Sequence, residues 1–328
     1  MSSRKPAAES DGKVQEFLKP ESDAASISST PNRKRTGFLQ SADVGMDVTG
    51  HDNPTFTAKG FALTNLPYKE PVGPDGKPLT HYQHKTDQVD LTMIAPPDTG
   101  LPSGPLARLI LAYLSEAAVK QKTRVIKLDS TLSEMLERLG MYPNSKNIRA
   151  LRDQLRAICR TSLMFVWNYE RGKYKVEEAV NFPFVSHYQL WEENKRGRKS
   201  KEEPEVKVFI ELSEYFYAQI QASVPLDAQT LVELKTSLAI DIYTFFSYQN
   251  YIYFREGRFY SWDELYQQFG RTYSRVRVFK QNFLKSMKTV QEKCSEFVLS
   301  EDIKGQGVWL FPVQDTASLP KPQAESEG

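Results

Sequence analysis

The chain has 328 residues, 40% hydrophobic and 12% aromatic, which is enough for one or two cores, and its length favours about two domains. It has no run of eighteen apolar residues, and its opening MSSRKPAAESDGK lacks the apolar stretch of an export signal, so no membrane span is expected and a cytoplasmic location is. Two cysteines, Cys159 and Cys294, are too few for a disulfide framework or a thiolate metal site, and both sit in helical patterns as small core residues.

Residues 1–88 are rich in Ser, Pro, Gly, Asp and Lys, with turn clusters such as PVGPDGKP, and read as a mostly disordered N-terminal region. Its basic run at 33 to 35 reads as a solvated patch, with an auxiliary phosphate contact as the alternative. His81 and His84 (HYQH) lack cysteine or carboxylate neighbours to complete a ligand set, and His51 and His187 stand alone, so no metal is expected. Val89 to Ile94 (VDLTMI) forms a short strand that opens a first domain, 89–190.

Within that domain SGPLARLILAYLSEAAVK reads as an apolar helix, TRVIKLD as a strand, TLSEMLERLG as an amphipathic helix and NIRALRDQLRAICRTSL as a longer one. LMFVWNY, ERGK and YKVEEAVNF then give a hairpin around a glycine-bearing turn. Residues 191–235 read as a connector. It starts with the charged loop EENKRGRKSKEEPE, whose Lys195, Arg196, Arg198, Lys199 and Lys201 either brush DNA or are simply solvated. A strand, EVKVFIEL, follows, and then two short helices whose Tyr215, Phe216, Tyr217 and Ile220 pack into the junction.

Residues 236–313 repeat the first plan, with a flexible tail over 314–328. TSLAIDIYTFFSYQNY is the apolar helix, RFYSW the extended piece, SWDELYQQFG the amphipathic helix and SRVRVFKQNFLKSMKTVQEKC the long one. A hairpin, EFVLSEDI then KGQG then VWLFPV, closes the copy. LSEMLERLG at 132–140 aligns with WDELYQQFG at 262–270 without a gap. Thr131 with Glu134, and Ser261 with Glu264, have capping-box spacing, and Gly140 and Gly270 are read as left-handed helix stops. Helix, strand, helix, helix, strand, strand is winged-helix order, so the fold class is α+β with two tandem winged-helix domains.

The net charge of +2 hides two local fields. Eight basic residues against two acidic ones lie between Ser145 and Lys175, and seven against one between Arg271 and Lys293. At 100° per residue, Ile148, Leu151, Leu155 and Ile158 share one side of the first long helix, with Lys146, Arg149, Arg156 and Arg160 elsewhere and Arg152 at the border. On the second, Val276, Phe279, Phe283 and Met287 are expected to be buried, leaving Ser274, Arg277, Gln281, Asn282, Lys285 and Lys288 outward. A helix-turn-helix fold places such a face in the DNA major groove. Arg and Lys suit phosphates and guanine, whereas Gln and Asn pair with adenine, so base reading is assigned chiefly to the second domain. Arg271, Tyr273 and Arg275 at the turn, Arg171 and Lys173 at the first hairpin tip and Lys304 at the second complete the expected contacts with double-stranded DNA. There is no GxxxxGK[ST] loop, no cofactor is expected, and the paired histidines of a metal-dependent nicking enzyme are missing.

Residues 100–140, GLPSGPLARLILAYLSEAAVKQKTRVIKLDSTLSEMLERLG, resemble the core of plasmid-encoded RepA-type replication proteins. The likeness runs from about 90 to 270, and the remainder to Val313 fits the tandem winged-helix plan of iteron-binding initiators. The resemblance implies binding to directly repeated sites at a plasmid origin, help in opening an adjacent AT-rich segment, and recruitment of the host initiator and helicase. Proteins of the wider group often form a homodimer through the first domain that represses its own promoter while the monomer initiates, and the arginines of the first domain leave both roles open here. A plain winged-helix repressor and an origin-nicking enzyme are the competing readings.

Overall fold

In the computed structural model, which describes residues 54–128, 131–190, 208–221, 223–252 and 257–313, the fold starts well before Val89. Residues 1–53 lie outside the described residues, but 54–88 depart from the flexible region expected there. They form strand β1 (Pro54–Thr57), helix α1 (Lys59–Leu63) and strand β2 (His81–Lys85), and they bury Phe56, Ala58, Ala62, Leu63 and Leu66. Local apolar density is low because their partners are distant: β1 pairs antiparallel with β9 (Val224–Asp227), inside the stretch read as a connector.

The first winged-helix unit runs through strand β3 (Val89–Ile94), helix α2 (Gly104–Gln121), strand β4 (Val125–Leu128), helix α3 (Leu132–Arg138) and helix α4 (Ser145–Arg160). Both partners of the Thr131 and Glu134 capping box are present, and Gly140 stops α3 at φ 66 as expected. Four strands follow: β5 (Ser162–Arg171), β6 (Tyr174–Pro183), β7 (Val185–Leu190) and β8 (Val208–Leu212).

Their pairing corrects two sequence readings. The hairpin β5–β6, expected to be the wing, joins a four-stranded sheet of order β2-β3-β5-β6, while β4 sits in a separate sheet of order β4-β8-β7. The wing by connectivity is therefore β7–β8, joined by residues 191–207, which lie outside the described residues along with their five-residue basic cluster. Consequently β8 belongs to the first domain rather than to a connector. Helices α5 (Glu214–Gln221) and α6 (Ala228–Glu233) match the two short helices expected, with Phe216 and Ile220 buried.

The second unit comprises helix α7 (Ser237–Ile252), strand β10 (Arg258–Ser261), helix α8 (Trp262–Phe269), helix α9 (Val276–Lys293) and strands β11 (Phe297–Glu301) and β12 (Gly307–Pro312), with sheet order β10-β12-β11. Its capping box, Ser261 with Glu264, is also formed. Gly270 is not left-handed, contrary to expectation: its φ is −90, and it is glycine because a Cβ there would overlap the Tyr266 ring. Cys159 and Cys294 are buried, and burial pushes each thiol up to about 12.

The two units are joined by buried polar bonds as well as by apolar packing. Arg108 of α2 grips Asp241 of α7 through Nε–Oδ1 at 2.6 Å and Nη2–Oδ2 at 2.7 Å, and its remaining donors reach the carbonyls of Leu66, Pro67 and Gly104. Beside this pair, Asn65 donates to the Gln268 carbonyl (2.6 Å) and Gln268 donates back to that of Leu63 (3.0 Å), while Tyr68 donates to that of Phe269 (3.3 Å). Burial pushes the Asp241 carboxyl above the usual carboxylate range, against the pull of Arg108. Removing one member of such a pair strands the other charge, so Asp241→Ala is expected to cost about 3–5 kcal/mol by urea denaturation, and Arg108→Met with Asp241→Leu less than either truncation alone.

His84 of β2 is buried next to this junction, and its Nδ1 accepts from the Asn65 main-chain N–H (3.1 Å). Burial, then the charge of Arg271, lowers its pKa from 6.5 to about 4. The unfolded chain thus takes up a proton near pH 6.5 that the folded chain refuses until about 4. Stability is full above this window and falls by roughly 3 kcal/mol as pH drops through it. Denaturation midpoints between pH 7 and 4 should show that loss, and His84→Asn, which keeps an acceptor, should remove it.

Candidate nucleic-acid interface

Helix α4 obeys the amphipathic reading. Leu151, Leu155 and Ile158 are buried and Ile148 is half-buried, so the opposite side carries the cationic stripe. Asn144 caps the helix by accepting from the Asn147 N–H (2.9 Å). Lys146 and Arg149 are exposed on the first turns, whereas Arg152, Arg156 and Arg160 are half-buried. Arg160 pairs with Asp98 (3.0 Å), and Arg156 lies 4.0 Å from Asp153. The three-turn arginine stripe is therefore uneven: its N-terminal end offers open cations, and its C-terminal end is engaged within the protein.

Helix α9 is packed by an aromatic cluster. Phe279 and Phe283 are fully buried against Trp262, Tyr266 and Phe269, and Val290 is buried further along. Val276, expected in this buried stripe, is 43% exposed because the core ends at Phe279, one turn short of the helix tip. Arg271, Ser274, Arg275, Arg277, Gln281, Asn282, Lys285 and Lys288 are all exposed. Two of the expected contacts are partly committed. Asn282 donates from Nδ2 to the Val278 carbonyl (2.8 Å), so pairing with adenine requires that bond to open. Tyr273 is half-buried against Phe279, its carbonyl accepts from the Tyr266 hydroxyl (2.7 Å), and burial raises its own phenol pKa, so it builds the turn. Val278, 42% exposed, stands with Val276 among these polar side chains, and the charge pattern of α9 does not single it out.

The hairpin tips place Arg171 and Lys173 together at the end of β5–β6, with Lys173 over the Tyr174 ring (5.3 Å), on an arm outside the wing sheet. Lys304 stands exposed at the tip of β11–β12, a wing by connectivity as expected. Among the described residues no group of three His, Cys, Asp or Glu side chains is placed to hold a metal, and no helix is long and apolar enough to cross a membrane.

The family model described as plasmid-encoded RepA protein matches residues 101–264, half of the chain. No curated protein matches. Among solved structures, selenomethionine derivatives of domains 2 and 3 of RctB superpose with a TM-score of 0.51 at 12% identity, covering 76% of this chain and 95% of that one, which supports the fold. A second structure of RctB domains 2–3 gives 0.48 at 12% identity over 74% and 94%.

Proposed function

The chain belongs to the family of plasmid-encoded RepA proteins, and from that premise we propose that it initiates plasmid replication by binding directly repeated origin DNA through both winged-helix units. The observation that carries this reading is the exposed face of α9, where Arg277, Gln281 and Lys285 stand clear of the core. Guanidinium and ammonium groups reach phosphates and guanine edges there, and the carboxamide of Gln281 matches adenine. Lys146 and Arg149 on α4 hold the backbone of the neighbouring groove.

In this reading binding helps to open an adjacent AT-rich segment and recruits a host initiator and helicase, and the chain does no covalent chemistry on the DNA. A homodimer through the first unit belongs to the same reading. The supporting feature is β6, an outer strand of its sheet among the described residues, whose edge is a template for pairing. A repressor of the chain's own promoter would use the same face. Replication of an otherwise non-replicating circle carrying the gene and its flanking DNA separates the two, since failure to establish overturns initiation.

Footprinting on the flanking DNA should reveal repeated protected segments, and the log–log salt slope of binding should lie between about −5 and −9. Gln281→Ala with Lys285→Ala should narrow the gap between cognate and random DNA by roughly ten- to a hundredfold. Lys146→Ala with Arg149→Ala should instead weaken both and flatten the slope by about 2. Relaxation of supercoiled origin DNA by the protein with a divalent metal would replace this reading with a nicking enzyme.

A further inference from the structure

The turn between β11 and β12 is held far more firmly than a loop tip needs for its own sake. The Asp302 carboxylate accepts from the main-chain N–H groups of Lys304 (3.1 Å) and Gln306 (3.4 Å) and from the Trp309 indole (3.2 Å). Its carbonyl accepts from Gly305 N–H (2.7 Å), and the Trp262 indole reaches across from α8 to the Gly305 carbonyl (3.0 Å). Trp309 is itself packed between Phe259 and Phe311. The hairpin is also fixed to α9: Gln291 donates to the Phe297 carbonyl (3.2 Å) and accepts from Leu299 N–H (2.6 Å). Wing and helix are therefore tied together at the base of β11.

What this scaffold presents at its apex is Ile303, 69% exposed, the most exposed large aliphatic side chain among the described residues, with Lys304 beside it. Turn apices favour Gly, Asn, Asp and Ser, whose conformations or side chains suit the bend, and a β-branched aliphatic gains nothing there from water. The tip carries Glu301 and Asp302 as well as Lys304, but the Asp302 carboxylate is turned back onto the N–H groups of the turn. The apolar side chain held at this apex matches the wedge by which proteins enter the minor groove, part a base step and kink the duplex.

We propose that Ile303 is such a wedge, inserted into the minor groove next to the segment that α9 addresses, with Lys304 on the flanking phosphate. The inference rests on the DNA-binding reading above and deepens it by naming the groove, the residue and the deformation. Pyrimidine–purine steps of A·T pairs yield most easily to such a wedge, so the bend falls on DNA that is readily unstacked.

The test uses the full chain and a short duplex carrying the footprinted site, with a dye at each end to report the bend. A second duplex carries 2-aminopurine at the step beside the wing, whose fluorescence rises on unstacking. Wild-type protein is expected to bend the duplex by about 20–90° and to brighten the probe. At saturating protein, Ile303→Ser should leave the duplex as straight and the probe as dim as in free DNA, and Ile303→Leu should retain both signals. Because Ile303 is 69% exposed, both variants should melt close to the wild type. Bending by Ile303→Ser equal to wild type, or a straight duplex under tightly and specifically bound wild type, overturns the wedge and leaves the DNA-binding reading intact. Absence of any site-specific binding overturns both.

Discussion

Apolar faces can slide over one another at little cost, whereas a guanidinium gripping both oxygens of a buried carboxylate has one geometry. Arg108 and Asp241 supply that geometry between α2 and α7, and the main chain of residues 63 to 68 wraps the pair, giving carbonyls to Arg108 and exchanging bonds with Gln268 at the end of α8. Both long basic helices are attached to this frame. Helix α4 is tied to the start of α2, where the Ser103 N–H meets Gln154 (2.9 Å), and α9 leaves directly from the turn after α8. A charged frame of this kind is a weak source of net stability but a strict source of register.

The duplicated plan was legible because its signals are local. Both capping boxes form, the strand at Val89–Ile94 has the expected bounds, and the buried stripe of α4 holds from Leu151 to Ile158. Each depends on residues within one or two turns of each other. The pairing of strands was not legible, since alternation marks β5 and β6 as strands without saying that they join β3 and leave β4 to β8. Residues 54–88 were misread for a related reason: Phe56 and Leu66 find their apolar surroundings in segments far along the chain.

The candidate interface shows the same division. Helical periodicity put Arg277, Gln281 and Lys285 outward, as they are, but it carries no information on the acid that meets Arg160, because Asp98 is 62 residues away. Val276 fits the buried stripe by angle and escapes it by position, since periodicity sees the helix as endless and the core is not. Gly270 fits a stop by type and serves instead as room for the ring of Tyr266.

The clasp at Arg108 also bears on how the chain is made. Its carboxylate partner is 133 residues downstream, and the carbonyl that accepts from Asn65 is 203 residues beyond that asparagine. During synthesis the guanidinium therefore waits on the order of ten seconds before Asp241 exists to neutralise it. The first half of the molecule is thus a provisional structure until the second half arrives, and the boundary between the two winged helices, clear as it is in the repeat, is a poor place to cut the gene.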